Sequence, residues 1–392
     1  MAGPLEGIKI VELGQMIAVP AATHLLATQG ATVIKVEGVD RGDDLRHYGS
    51  QKAGMSGWFA NANAGKRSIG LDLSSDAGAS VLWALLEDAD VFVQGFRPGA
   101  VARLGFGPDE VRARNPRLVY VSSSGFGSTG PYADRPVYDP VIQALSGWAG
   151  AQRTAEGPSL VRAVVADKVA ALTTSQAIST ALFSRERTGV GQHVELSMLE
   201  SNLAFNWPDV MMHCTVLDDD ATHFPNLLGV YRLVPSADGW VTVTAGTDAQ
   251  WQSVTAALGR PELATDQRFA TGADRNANMP DWYEAFDEMC SAFSTEELLR
   301  RCHEADVPAV AVLAPDEVAA DAQVAARDAV RESDHPVVGR IRSPRQGARF
   351  EGDGEGSPGP APTWGQDTDE ILTELGHDAD AIAAMRAAGN VV

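Results

Sequence analysis

Cysteine is nearly missing from this chain: Cys214, Cys290 and Cys302 are the three among 392 residues, and no two form a C-x-x-C pair. So sparse and odd a count predicts reduced thiols in a cytoplasm, each a packing residue rather than a nucleophile. Long apolar runs are missing too. None approaches the roughly 18 to 20 residues that a membrane helix needs, so no membrane partner is expected. The first residues, MAGPLEGIKIVEL, lack the basic-then-apolar layout of a signal peptide. No lysine occurs after Lys168. The formal charge is −21 and uneven: residues 1–200 hold 18 Lys and Arg against 20 Asp and Glu, whereas residues 201–392 hold 13 against 32. The acidic second half would repel phosphates, which argues against a nucleic-acid partner. The near-neutral first half leaves room for a basic patch facing a small anion.

Several catalytic signatures are also absent. The turn after the first apolar run, Leu13–Pro20, has one glycine where G-x-G-x-x-G needs three, which argues against NAD or FAD. There is no Walker pattern and no G-x-S-x-G serine elbow. Histidines and cysteines show no metal-ligand spacing, and His303 beside Cys302 falls on an adjacent helix face, so no metal is expected.

What is present is a rhythm of strand and helix. Ile8–Leu13, Thr32–Val36, Val91–Val93, Leu118–Ser122 and residues 192–197 read as strands. Helical patterns lie between them, from Pro20 toward Gln29, over Asp76–Leu86, after Pro98 and Pro108, and over 139–149 and 167–187. This alternation predicts an α/β fold with an open Rossmann-like parallel sheet, covered on both faces, that binds ligands at the carboxyl ends of its strands. Near Leu227 the pattern changes. Strands at 230–234 and 240–245 flank a hairpin signal, helices follow near 249–258, 281–293 and 295–304, and a strand comes at 308–313. The expected organisation is a large domain over 1–200, a linker helix over 201–226 and a smaller α+β domain over 227–325. A return segment over 326–392 follows, with a Gly/Pro-rich loop at 351–362 and two helices packing on the large domain.

Candidate anion sites fall at strand ends. Asn63–Ser68 puts Lys66 and Arg67 beside a glycine, and Phe96–Arg103 follows a strand and carries Arg97 and Arg103 at a helix start, where exposed amides suit phosphate. Solvated surface charge is the plainer reading of each. Ser122–Pro131 is a Gly/Ser loop after a strand, which either approaches a ligand or merely turns. Asp167 follows a short apolar run and opens the longest helical pattern. It is either a helix N-cap or a carboxylate nucleophile, and in both roles the helix dipole would hold it ionised.

Taken in order, these segments resemble the family III CoA-transferases, the group of formyl-CoA and carnitine-CoA transferases and α-methylacyl-CoA racemases. The matching pieces are Leu5–Leu13, Gly30–Glu37, Lys66–Ile69, Phe96–Gly99, Gly125–Tyr132, Tyr138–Gly147 and Arg187–Gln192. The resemblance implies a CoA-binding sheet, a small second domain and two subunits linked as interlocked rings in a homodimer. CoA or acyl-CoA is then a substrate rather than a bound cofactor, and a free carboxylic acid is the acceptor. Asp167 is implied as the catalytic carboxylate, passing through a mixed anhydride and an aspartyl-CoA thioester. The residues implied around CoA are Ile17, Ala18, Arg41, Lys66, Arg67, Gly95, Phe96, Arg97, Ala100, Arg103, Leu104, Ser124 and Tyr138. Lys66, Arg67 and Arg103 would face its phosphates, and Phe96 with the Ile17–Ala18 turn its adenine or pantetheine. Racemases of this family place a histidine where this chain has Tyr138, and a phenol of ordinary pKa near 10 is a poor base at neutral pH. Transfer is therefore expected over α-proton abstraction, with a non-catalytic CoA-binding protein as the remaining alternative. Some transferases of the family shield the intermediate with a glycine-rich loop, and here the corresponding stretch, 223–229, has no glycine run.

Overall fold

A computed structural model describes residues 3–222, 231–351 and 358–392. The chain divides into two compact units, Met1–Thr215 with Asp328–Val392, and Val216–Arg327.

The first unit is built on six parallel strands: β1 (Lys9–Leu13), β2 (Thr32–Glu37), β3 (Arg67–Gly70), β4 (Val91–Gln94), β5 (Val119–Ser124) and β6 (His193–Ser197), in the order β3-β2-β1-β4-β5-β6. Glu12 pairs with Lys35, Leu13 with Gln94, Gln94 with Ser122, and Ser124 with Ser197. The strands are apolar at successive positions because both faces are covered, as parallel sheets require. Ile10, Val33, Val91, Val93, Val119 and Val121 point to one face and pack on helices α1 (Ala18–Ala27) and α8 (Val165–Thr188) through Val19, Leu26, Ile178 and Leu182. Val11, Leu13, Val36, Phe92 and Tyr120 point to the other and meet Leu82 and Leu85, with Ile371, Leu372 and Ile382 from the two C-terminal helices. The last residues return to the sheet edge, where the Val392 N–H donates to the Gly70 carbonyl.

The remaining helices of this unit, in chain order after α1, are α2 (Gly57–Asn63), α3 (Asp76–Glu87), α4 (Ala100–Arg103), α5 (Pro108–Arg114), α6 (Asp139–Leu145), α7 (Trp148–Ala151) and, after α8, α9 (Met198–Asn206). Two boundaries depart from expectation. The helix expected over 139–149 splits at Gly147, which sits at φ +96° with the Met211 side chain packed where a Cβ would stand. The linker expected to be helical over 201–226 is helical only to Asn206, followed by one tight turn at Met212–Cys214. Pro208 explains the stop, since it restrains the residue before it and has no N–H to donate. Residues 223–226, and the whole glycine-poor stretch 223–229, lie outside the described residues. Cys214 is exposed rather than packed, whereas Cys290 and Cys302 are fully buried.

The second unit has a three-stranded antiparallel sheet of Val234–Pro235, Trp240–Val243 and Ala309–Ala311. Its core gathers Val241, Trp251, Phe269, Phe286, Met289 and Leu298 from the sheet and its helices. Among the described residues no helix is long and apolar enough to cross a membrane, and no group of three or more His, Cys, Asp or Glu could hold a metal ion.

Candidate active site at the carboxyl edge of the sheet

Strand order reverses between β1 and β4, and in open parallel sheets the crevice that takes ligands lies at such a point of the carboxyl edge. One wall is the turn from Gly14 to Ala18. A Cβ on Gly14 or on Gly95 would strike Val19, so the loop after β4 lies close against the start of α1. Met16 occupies φ +64°, a strained conformation for a side-chain-bearing residue, and its N–H is held at 3.0 Å by Asp43 Oδ1. Ile17 is buried and Ala18 half-buried. The opposite wall carries exposed Gly95, Phe96, Arg97, Arg103 and Leu104, with half-buried Ala100. Among the described residues neither Arg97 nor Arg103 has an acidic partner. α4 is a single turn of four residues, so the positive potential there comes from the two guanidinium groups rather than from a helix dipole.

Beneath the crevice lies a charged network closed to water. Glu12, Lys35 and Lys66 have wholly buried side chains. Lys35 Nζ reaches Glu12 Oε1, Asp43 Oδ2 and the Gly14 carbonyl, each at 2.8 Å. Lys66 Nζ reaches Glu12 Oε2 at 2.6 Å, and Asn63 Oδ1 and the Pro20 carbonyl at 2.8 Å. Burial alone would raise the Glu12 pKa, but Lys35 and Lys66 outweigh it and hold the carboxyl down to about 2. Two expected phosphate ligands are thereby committed elsewhere. All three Lys66 protons are used inside the protein, and the Arg67 guanidinium is forked onto Glu374 at 2.8 and 2.9 Å. Arg41 is exposed, 3.3 Å from Asp44.

The second half of the edge carries the acids. β6 follows α8 and runs parallel to the other strands, so α8 runs back from the carboxyl edge and begins there, as α1 does. Ala18 of α1, Ile142 of α6 and Ala166 of α8 pack in one cluster, which joins the crevice to the start of α8. Asp167 is the third residue of α8 and does not cap it: the cap position is Val164, with no side-chain bond. The cap comes from another helix. Asp139, the first residue of α6, is buried, and its Oδ2 accepts the Asp167 N–H at 3.0 Å. α9 fixes the same turn, with Asn202 Nδ2 donating to the Ala166 carbonyl at 3.0 Å.

Two carboxyl groups are thus brought together at two helix starts. Burial raises the Asp167 pKa and the Asp139 charge adds to it, pushing it up to about 7. The expectation that a helix dipole keeps Asp167 ionised is therefore corrected: a dipole is worth about 0.3–1 kcal/mol, less than the loss of water and a neighbouring anion cost here. Ser124 is half-buried, its Oγ donating to the Leu196 carbonyl at 3.3 Å and accepting the Gly127 N–H at 3.0 Å. Tyr138, immediately before Asp139, is 68% exposed. Asp139, Asn202 and the Glu12–Lys35–Asp43 group went unassigned in the sequence. The one local signal was an Asp-Pro pair opening a helix pattern.

Comparison with known proteins places the chain as a whole. The model of the family described as CoA-transferase family III matches residues 5–368. An acetyl-CoA:oxalate CoA-transferase of Acetobacter aceti is 34% identical over 340 residues, covering 84% of this chain and 86% of that protein. A succinate–glutarate CoA-transferase of Agrobacterium fabrum is 31% identical over 390 residues, covering 95% and 96%. The crystal structure of a CAIB/BAIF family protein from Brucella suis superposes with a TM-score of 0.82 at 30% identity, covering 96% of this chain and 100% of that one.

Proposed function

The chain belongs to CoA-transferase family III, and from that premise we propose that it moves CoA from an acyl-CoA to a free carboxylic acid through Asp167. The Asp167 carboxylate attacks the thioester carbonyl, the C–S bond breaks, and CoA leaves as thiolate with a mixed anhydride behind it. The thiolate then attacks the aspartyl carbonyl, releases the donor acid as carboxylate and leaves an aspartyl-CoA thioester. The acceptor carboxylate attacks that thioester and expels the thiolate again. Return of the thiolate to the new acyl carbonyl yields the product thioester and restores Asp167. No proton is consumed at any step.

The observation that carries this reading is the Asp139 carboxylate held at the start of α8, its Oδ2 accepting the Asp167 N–H at 3.0 Å. A half-buried carboxylate, partly withdrawn from water and set beside a second anion, is poorly stabilised, hence more nucleophilic than a surface aspartate. Ile17, Ala18, Gly95, Phe96, Arg97, Ala100, Arg103, Leu104, Ser124 and Tyr138 are the residues we assign to the CoA path. Lys66 supports it from within through Glu12, and Arg67 is turned outward onto Glu374, so neither is assigned to phosphate. The relatives named for oxalate, succinate and glutarate favour a small carboxylic acid as acceptor. Exposed Leu172 and Phe183 on α8 and Phe205 on α9 support a second copy of the chain as partner, and the sparse cysteine count supports the cytoplasm.

Intact-protein mass spectrometry after incubation with acyl-CoA tests the reading. A hydroxylamine-sensitive adduct that is lost in Asp167→Asn supports transfer. Deuterium uptake from solvent at the substrate α-carbon, without CoA exchange, would replace it with racemisation. Binding of CoA with neither event would leave a binding protein.

A further inference from the structure

Gln143 lies one turn beyond Asp139 on α6 and is 1% exposed. Its amide is fully engaged. Nε2 donates to Asp139 Oδ1 at 2.6 Å, to the Ala163 carbonyl at 3.0 Å and to the Val161 carbonyl at 3.2 Å, while Oε1 accepts the Val161 N–H at 2.9 Å. The amide cannot be turned over, because its oxygen would then face three acceptors. The segment it grips has little structure of its own: the Ala163 N–H bonds the Val161 carbonyl and the Val165 N–H bonds the Ala163 carbonyl, two successive three-residue turns leading into α8. Gln143 is thus the brace between the start of α6 and the start of α8.

It also fixes the position of Asp139. One Asp139 oxygen faces the Gln143 amide and the other faces the Asp167 N–H, both of them groups that can only donate. We propose that Gln143 is a positioning residue for the transfer reaction: by bracing the 161–163 segment and donating to Asp139 Oδ1, it holds the Asp139 carboxylate against the first turn of α8, where Asp167 stands. The inference rests on the assignment of Asp167 as nucleophile. Other titratable groups on elements packed against α8 are occupied elsewhere. His24 of α1 bonds the Ala64 carbonyl, Glu200 of α9 bonds Ser197, His193 of β6 bonds Ser122, and Glu195 accepts the Ser128 N–H. Among the described residues Asp139 is the one charged group that bears on Asp167.

The test is the pH profile of adduct formation from acyl-CoA in wild type, Gln143→Met and Gln143→Glu, with Asp167→Asn as control. In Gln143→Met the brace is lost and the Asp139 carboxylate is no longer held against the start of α8, so less of its charge bears on Asp167. The midpoint then moves to lower pH by about half a unit, with KM for acyl-CoA within about threefold of wild type. In Gln143→Glu a further anion stands against the pair and the midpoint moves to higher pH. Shifts in these opposite directions support the proposal, because a residue that only held the fold would lower the rate and leave the midpoint in place. An unmoved midpoint in the folded variants overturns it. If Gln143→Met fails to fold, Gln143→Glu, nearly identical in size, decides alone on the same criterion. Adduct formation that survives Asp167→Asn overturns the assignment of the nucleophile itself, and so separates the two failures.

Discussion

Replacing Asp167 with Asn removes a carboxyl that folding makes harder to ionise, so the variant should gain stability as pH rises. The unfolded carboxyl titrates at 3.8 and the folded one at about 7. Between those values the folded chain binds more protons than the unfolded chain, so wild-type stability falls as pH climbs and the loss is complete above about pH 7. Integrating one such group from pH 5 to pH 8 gives a loss of about 2.5 kcal/mol, at about 1.36 kcal/mol for each unit of pKa. Asn keeps the shape and the backbone N–H that Asp139 accepts, and it has no proton to lose. Urea unfolding of both proteins at pH 5 and pH 8 measures the difference directly, and groups elsewhere in the chain cancel in the comparison. Asp167→Asn should exceed wild type by about 2.5 kcal/mol more at pH 8 than at pH 5, while catalysing no transfer. A stability difference that does not change with pH would refute the claim that Asp167 is desolvated beside an anion.

In wild type the rate of adduct formation should rise about tenfold per pH unit below 7 and level off above it, because only the ionised carboxyl attacks. Asp139→Asn removes the neighbouring charge and should move that midpoint to lower pH, read from the same profile. Arg97→Ala and Arg103→Ala should each raise KM for acyl-CoA by about tenfold, the worth of one charge-assisted contact, with little change in kcat by steady-state kinetics. Lys66→Met should act differently: it strips Glu12 of one of its two buried cations and should cost about 3–5 kcal/mol in urea unfolding, rather than weaken binding alone.

The sheet was legible because its strands are apolar on both faces and its helices carry ordinary start and stop signals: Pro108 opens α5, and Gly189 at φ +78° ends α8. Boundaries failed where tertiary contacts decide. Gly147 breaks a helix because Met211 occupies its side-chain space, and that residue lies 64 positions further on. Charge was the least legible property. Lys66 and Arg67 stand next to each other and read as one basic patch, yet Lys66 points into the sheet toward Glu12 and Arg67 out toward Glu374. Asp167 read as its own helix cap because the sequence does not reveal that Asp139, 28 residues earlier, supplies the bond. Alternation of strand side chains and the pairing of distant helix starts are fixed by the fold, not by neighbours in the chain.

The nucleophile is tested most directly by oxygen tracing. Transfer to an acceptor acid carrying oxygen-18 in its carboxylate must leave one labelled oxygen on Asp167 when thiolate reclaims the acceptor's acyl group. Trypsin cuts after Arg162 and Lys168 and frees the peptide Ala163–Lys168, in which Asp167 is the one acidic side chain. After many turnovers that peptide should carry oxygen-18 at Asp167. An unlabelled peptide from enzyme that has turned over would contradict an aspartyl intermediate.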